Sequence, residues 1–226
     1  MSAPPKAFVS WSSGKDSAFA LHEARRLGIA EIVGVLTTVN EVFNRVAMHG
    51  VRDALLDRQI ASLGLPAIKV PLPYPCPNEI YEARMADAIA QIAAQGARHI
   101  VFGDLFLDDI RAYRDANLAR AGMTGLYPLW RRDTAVLART MIDSGLVAHL
   151  VCVDPGRLDR RFAGRRFDAA LLAALPPGVD PCGENGEFHT VVTAGPMFSA
   201  PIPITIGAVV ERDGFVFADV MPGEGT

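Results

Sequence analysis

The sequence predicts an α/β fold: a parallel sheet flanked by helices, followed by a smaller α/β C-terminal subdomain. Short apolar runs alternate with stretches of helical periodicity as far as residue 104, the rhythm of βαβ units whose crossovers place helices on both faces of a sheet. The stretches stop at Gly28, Asn40, Gly64 and Gly96, residue types that accept the left-handed conformation at element ends. Beyond residue 180 the apolar runs are joined by turn residues, with Asp213-Gly214 as a hairpin turn.

Taken in order, residues 6–11 (KAFVSW) read as a strand, followed by a small-residue loop and a helix at 17–28. Residues 32–39 (IVGVLTTV) read as a second strand. Residues 51–63 carry apolar side chains at helical spacing and stop at Gly64, with Pro66 beyond. A short strand follows at 68–72, with Pro71 confining it to an edge or an end. Residues 79–95 form a helix, and HIVFGD at 99–104 is a strand that delivers Gly103 and Asp104 to its end. In the second part, 133–145 reads as a helix and 147–154 as a buried strand. The basic stretch 157–166 reads as a solvated face or turn, and strands follow within 190–198 and 203–220. A soft boundary near residue 130 divides the chain into 1–130 and 131–226.

Composition narrows the partners. The chain has 226 residues, a net charge of −3, and charged residues at 21%, which leaves no electrostatic footprint for nucleic acid. Cys76, Cys152 and Cys182 are widely spaced, with neither metal-ligand spacing nor a disulfide framework. They read as reduced thiols of a cytoplasmic protein. The first residues lack a signal-peptide core, and no run of about 18 apolar residues suggests a membrane span. The oligomeric state is open, with a homodimer admitted.

The chemistry starts at residues 12–17, SSGKDS, between the first strand and the first helix. Free N–H groups and the helix dipole at a helix start favour an anion. Gly14 permits close backbone approach. Ser12, Ser13 and Ser17 offer hydroxyl donors, and Lys15 offers a mobile positive charge. Asp16 would repel phosphate unless Mg²⁺ or an ordered donor intervenes, which makes it a candidate metal ligand. A capped helix start of small residues is the structural alternative. The loop G-x-x-x-x-G-K-[ST] is excluded, because residue 9 is Val and Asp16 follows Lys15. No G-x-G-x-x-G follows any strand.

SSGKDS resembles the S-G-G-x-D-S signature of the N-type ATP pyrophosphatases, with Ser13 in place of the first glycine. Met48-His49 with Gln59 and LGLP at 63–66, GDLF at 103–106, LYPLW at 126–130, and CGENGEFHT at 182–190 are similar to successive blocks of the diphthine–ammonia ligase family. That resemblance implies a Rossmann-like, HUP-type sheet and binding of ATP with Mg²⁺. It also implies amidation of a carboxylate by ammonia, with release of AMP and pyrophosphate. The implied ATP-binding set is residues 12–17 with Thr37, His49, Gly103 and Asp104; Asp104 shares the metal role with Asp16. This chain reads Leu107-Asp108-Asp109-Ile110-Arg111 where the family shows S-D-Y-Q-R. It has Asn185 where glycine is usual and His189 where glutamate is usual. These departures leave the acceptor open, as a small acid or a protein side chain.

Within CGENGEFHT, Glu184 and Glu187 could bind ammonium and accept its proton, and His189 could relay a proton near neutral pH. The catalytic set is thus Asp16, Glu184, Glu187 and His189. Arg111 and Arg114, three apart on a helix, could clamp a carboxylate or phosphate of the acceptor together with Asn185; a solvated helix face is the alternative. Leu126, Leu129 and Trp130 read as core. His99, His149 and Cys152 read as structural. Two further readings stand beside the ligase: an adenine-nucleotide-binding protein or slow ATP hydrolase, and sulfur transfer to RNA through Cys182.

Overall fold

The computed structural model describes residues 3–224. It comprises two compact units. The first holds the chain up to Ser12, Asp16–Ala47 and Leu65–Arg131; the second holds Ser13–Lys15, Met48–Gly64 and the chain from Arg132 onward. The expected α/β class is found, with a sheet that is parallel except at one short strand, and a second sheet that is antiparallel.

In the first unit β1 (Lys6–Ser10) is central. It pairs in parallel with β2 (Glu31–Asn40) on one side and β5 (His99–Val101) on the other. β2 continues to β4 (Ala67–Leu72), and β5 to β6 (Thr124–Leu126), both in parallel. The two-residue β3 (Arg45–Val46) turns back antiparallel on the end of β2. Chain order therefore reverses direction at β1, and ligands of open α/β sheets bind beyond the carboxyl ends of the strands at such a point. Pro71 lies in β4, which pairs with β2 alone, so its missing N–H removes no central ladder bond.

One face of this sheet is apolar because alternate residues of each strand point the same way. Phe8, Leu36, Val70, Ile100 and Phe102 pack there with Ala88, Ile89 and Ile92 of α3 (Asn78–Ala94) and Leu118 of α4 (Asp108–Arg120). The first helix, α1, runs Lys15–Arg26 and starts two residues earlier than the periodicity implies. It ends at Gly28, whose φ of 64° suits a left-handed stop. The sequence places Arg111 and Arg114 on a helix but gives no bounded element within residues 107–126. There α4 (DDIRAYRDANLAR) buries Leu118 alone, so it has no apolar stripe from which to be read.

The second unit is built on a four-stranded antiparallel sheet ordered β8 (Phe188–Ala194), β7 (Val147–Val153), β10 (Phe215–Pro222) and β9 (Ile204–Arg212). The β9–β10 hairpin turns at Asp213 and Gly214, with φ of 51° and 82°, the paired positive angles that make this dipeptide a hairpin turn. Helix α2 (Asp53–Leu63) buries Leu55, Leu56, Gln59 and Leu63. Helices α5 (Thr134–Asp143) and α6 (Ala169–Ala174) are N-capped by Asp133 and Asp168, whose carboxylates accept from Val136 N and Leu171 N, each at 2.8 Å. In the basic stretch 157–166 half of the residues are exposed, while Leu158 and Phe162 are buried in the core. Among the described residues no helix is long and apolar enough to cross a membrane.

Candidate functional site

In the first unit the site residues gather beyond β1 and β5. The Ser12 and Ser17 hydroxyls lie 3.1 Å apart, and Ser12 N donates to Ser17 Oγ at 3.3 Å. Gly103 sits directly on the start of α1: a Cβ there would lie 2.6 Å from the Asp16 carbonyl carbon and 2.8 Å from Ser17 N. Only glycine lets the chain leaving β5 pass this close to the start of α1. Asp104 pairs with Arg114, Nε to Oδ2 at 3.0 Å, and Arg114 also lies over the Phe102 ring at 4.6 Å. Thr37 is buried in β2, and its hydroxyl has no hydrogen-bond partner. Arg111 lies over both Tyr127 and Trp130. Leu129 is core as expected, whereas Trp130 is half-buried.

Among the described residues no group of three or more His, Cys, Asp or Glu could hold a metal ion. Asp16 and Asp104 remain as two carboxylates, and Asp104 is paired with Arg114. Such a sparse set suits an ion bound chiefly through substrate phosphates, the usual mode for Mg²⁺.

In the second unit the middle of SSGKDS is tied down. Ser13 has a φ of 69°, a left-handed conformation that glycine adopts without strain, and this position carries glycine in the S-G-G-x-D-S signature. Its carbonyl accepts from Val192 N at 2.9 Å and from Gln59 Nε2 at 3.1 Å. Gln59 also donates to Val192 O at 2.8 Å. Gly14 lies against His49, with a Cβ there 2.9 Å from His49 Cε1 and 3.2 Å from Thr190 O. Lys15 N donates to Thr190 Oγ1 at 3.1 Å. The Lys15 ammonium is buried, hydrogen-bonds the Cys182 carbonyl, and lies 5.5 Å from the centroids of both Phe167 and Phe188. The mobile cation expected of Lys15 is therefore a fixed one.

The DPCGENGE turn, residues 180–187, closes on itself. Asp180 Oδ2 accepts from Cys182 N at 3.2 Å and Glu184 N at 2.9 Å. Glu187 Oε1 accepts from Asp180 N at 3.0 Å and from Asn185 Nδ2 at 3.1 Å. Glu187 is buried, and its Oε2 has no hydrogen-bond partner. Glu184 is half-buried and Asn185 is exposed. The Cys182 thiol is buried and donates to Thr134 O at 3.4 Å, while burial and then Asp154 push the Cys152 thiol up to about 12.

His49 and His189 pack ring to ring, with centroids 4.6 Å apart and planes at 39°. Burial, then the neighbouring His189, lowers His49 to about 3, with Lys15 adding to the effect and the Thr190 hydrogen bond opposing it. Burial and then Lys15 lower His189 to about 4. Both imidazoles are neutral at pH 7. Because a carbonyl can only accept, the 3.2 Å contact of His49 Nδ1 with Thr190 O places the proton on Nδ1 and leaves Nε2 as the basic nitrogen.

Three residues that hold this geometry went unassigned in the sequence: Gln59 in any role, Thr190 and Asp180. Gln59 had a signal. It falls on the apolar face of α2, four residues after Leu55 and four before Leu63, and a polar side chain on a buried stripe must have partners. Thr190 and Asp180 had none beyond their nearness to the glycine-rich turn.

A parallel α/β sheet with a strand–loop–helix turn at its switch point defines a Rossmann-like protein. Two family models match: the diphthamide synthase N-terminal domain over residues 5–124 and the diphthamide synthase C-terminal domain over residues 133–216. Among curated relatives, the diphthine–ammonia ligase of Danio rerio is 36% identical over 120 residues, covering 50% of this chain and 47% of that protein. The Homo sapiens enzyme is 30% identical over 120 residues, covering 50% and 45%. The Schizosaccharomyces pombe enzyme is 35% identical over 97 residues, covering 41% and 16%. The matched region is thus under half the length of each of these relatives. The chain belongs to the diphthine–ammonia ligase family.

Proposed function

We propose that the chain is an ATP-dependent amide ligase that forms AMP and pyrophosphate. A carboxylate of the acceptor attacks the α-phosphorus of ATP and expels pyrophosphate; ammonia then attacks the acyl carbon, expels AMP and loses a proton. Residues 1–130 serve chiefly the nucleotide and 131–226 chiefly the acceptor. Residues 12–17 hold the polyphosphate, with Thr37, His49, Gly103 and Asp104 completing the nucleotide contacts. Mg²⁺ held with Asp16 and Asp104 would offset phosphate charge. Glu184 and Glu187 receive ammonia and its proton, and His189, neutral at pH 7, offers ammonia a hydrogen bond.

The observation that carries this reading is the left-handed Ser13 leading straight into α1 at Lys15. The dipole at such a helix start favours an anion, and the Ser13 hydroxyl beside it is buried with no hydrogen-bond partner. Neutral imidazoles and a buried carboxylate oxygen suit a neutral nucleophile such as ammonia better than a metal-bound hydroxide. Pyrophosphate release should rise when ammonium and a carboxylate pool are supplied with ATP. If ammonium never stimulates it, the chain is a nucleotide-binding protein or slow hydrolase. Full activity in Cys182→Ser is expected, since the thiol is buried on Thr134 O; its loss would favour sulfur transfer.

A further inference from the structure

We propose that Arg111 is a preorganised oxyanion receptor that takes the acceptor's carboxylate. The receptor is read from the first unit's geometry; the identity of the anion rests on the ligase reading. The guanidinium carbon lies 4.5 Å from the Tyr127 centroid and 4.6 Å from that of Trp130. These rings contact one another edge to face, at 5.9 Å and 61°. Asp115 fixes the arrangement: Oδ1 accepts from the Tyr127 hydroxyl at 2.8 Å, and Oδ2 lies 3.5 Å from Arg111 Nε. Gly125 leaves room for it, because a Cβ there would lie 2.7 Å from the Tyr127 hydroxyl and 2.8 Å from Asp115 Oδ1.

An arginine on a solvated helix face keeps its rotamer freedom. Arg111 has given that freedom up, yet donates no hydrogen bond to any described residue within ordinary geometry, and its side chain is 36% exposed. The neighbouring arginines differ. Arg114 is committed to Asp104, and Arg131 donates to both oxygens of Asp108. Arg111 is a planar fork of donors held against two rings, a group that matches a carboxylate bidentately. It also stands where a ligand is expected: α4 follows β5, and Tyr127 and Trp130 follow β6, beyond the carboxyl ends of adjacent parallel strands. A phosphate of ATP shares the same oxyanion chemistry, so the test must separate the two sources.

Acetate serves as the carboxylate probe, without nucleotide, and the indole N–H resonance of Trp130 as the reporter; the other tryptophan, Trp11, is buried. The expected result is a saturable Trp130 shift in the wild-type chain, abolished in Arg111→Gln. In Tyr127→Phe, which keeps the ring but loses the Asp115 bond, binding should weaken several-fold. ATP affinity, measured separately by displacement of a fluorescent analogue, should change less than twofold in all variants, and their thermal midpoints should show that they fold. No acetate response in the wild type, or a response kept in Arg111→Gln, overturns the proposal. So does a silent acetate titration with a tenfold loss of ATP affinity in Arg111→Gln, which gives the anion to the nucleotide. Because acetate binding is read without turnover, its failure is distinct from failure of the ligase reading.

Discussion

Lowering the pH should destabilise this protein through two rings, His49 and His189. In the folded chain they stay neutral down to about 3 and about 4, whereas unfolded imidazoles take up a proton below about 6.5. Between those limits the unfolded state binds more protons, so stability is fully present above about pH 6.5 and is lost as pH falls. At pH 5 the unfolded state gains about 2 kcal/mol from each ring, at 1.36 kcal/mol per unit, and at most about 4 kcal/mol from the pair. Burial and then Arg166 also lower His149, which acts in the same direction, so the wild-type loss alone does not isolate the pair. Urea unfolding of the wild type and the double variant His49→Gln with His189→Gln, at pH 7, 6 and 5, does. The double variant should lose less stability between pH 7 and 5, by several kcal/mol. Equal losses within about 1 kcal/mol would refute the claim that these rings are held neutral by their surroundings.

Gly103→Ala places a methyl group 2.6 Å from a backbone carbon of α1, which cannot rotate away. An overpacking cost of about 1–3 kcal/mol in urea unfolding and at least a tenfold loss of ATP affinity are expected. Gln59→Leu leaves Ser13 O and Val192 O without that donor and should cost about 1–3 kcal/mol for each carbonyl left unsatisfied, read as a lower urea midpoint. Lys15→Met keeps the stem between Phe167 and Phe188 but removes the bond to the Cys182 carbonyl. It should lower both thermal stability and ATP affinity, whereas a lysine serving phosphate alone would lower affinity only.

Much of the parallel sheet was legible because its signals are local. An apolar run such as AFV in β1 and a stop such as Gly28 need no knowledge of the rest of the chain. What was not legible depended on distant partners. Helix α4 carries two acidic residues in its first turn and one buried residue, so its periodicity could not announce it. Of the site residues, the loop and the glycine-rich turn stood out by composition. The roles of Lys15 and Gln59 did not, since their partners lie 167 and 133 positions away. Sequence spacing offered Arg111 and Arg114 as an equivalent pair; their surroundings make one an Asp104 partner and the other an arginine stacked on two rings.

The way the loop is anchored also explains why glycine can be absent from position 13. A left-handed serine is strained by roughly 1 kcal/mol or more, and strain persists only where neighbours fix it. Here Val192 N and Gln59 Nε2 both hold the Ser13 carbonyl, and Thr190 Oγ1 holds the next turn at Lys15 N. Three bonds from β8 and α2 thus stand in for the conformational freedom of one glycine. Ser13 in return brings a hydroxyl that is buried and has no hydrogen-bond partner, a donor that glycine lacks. Ser13→Gly should therefore relax the backbone yet remove that donor, giving equal or higher thermal stability with weaker ATP binding. A variant less stable than the wild type would show that the serine hydroxyl is structural and that the loop is not strained.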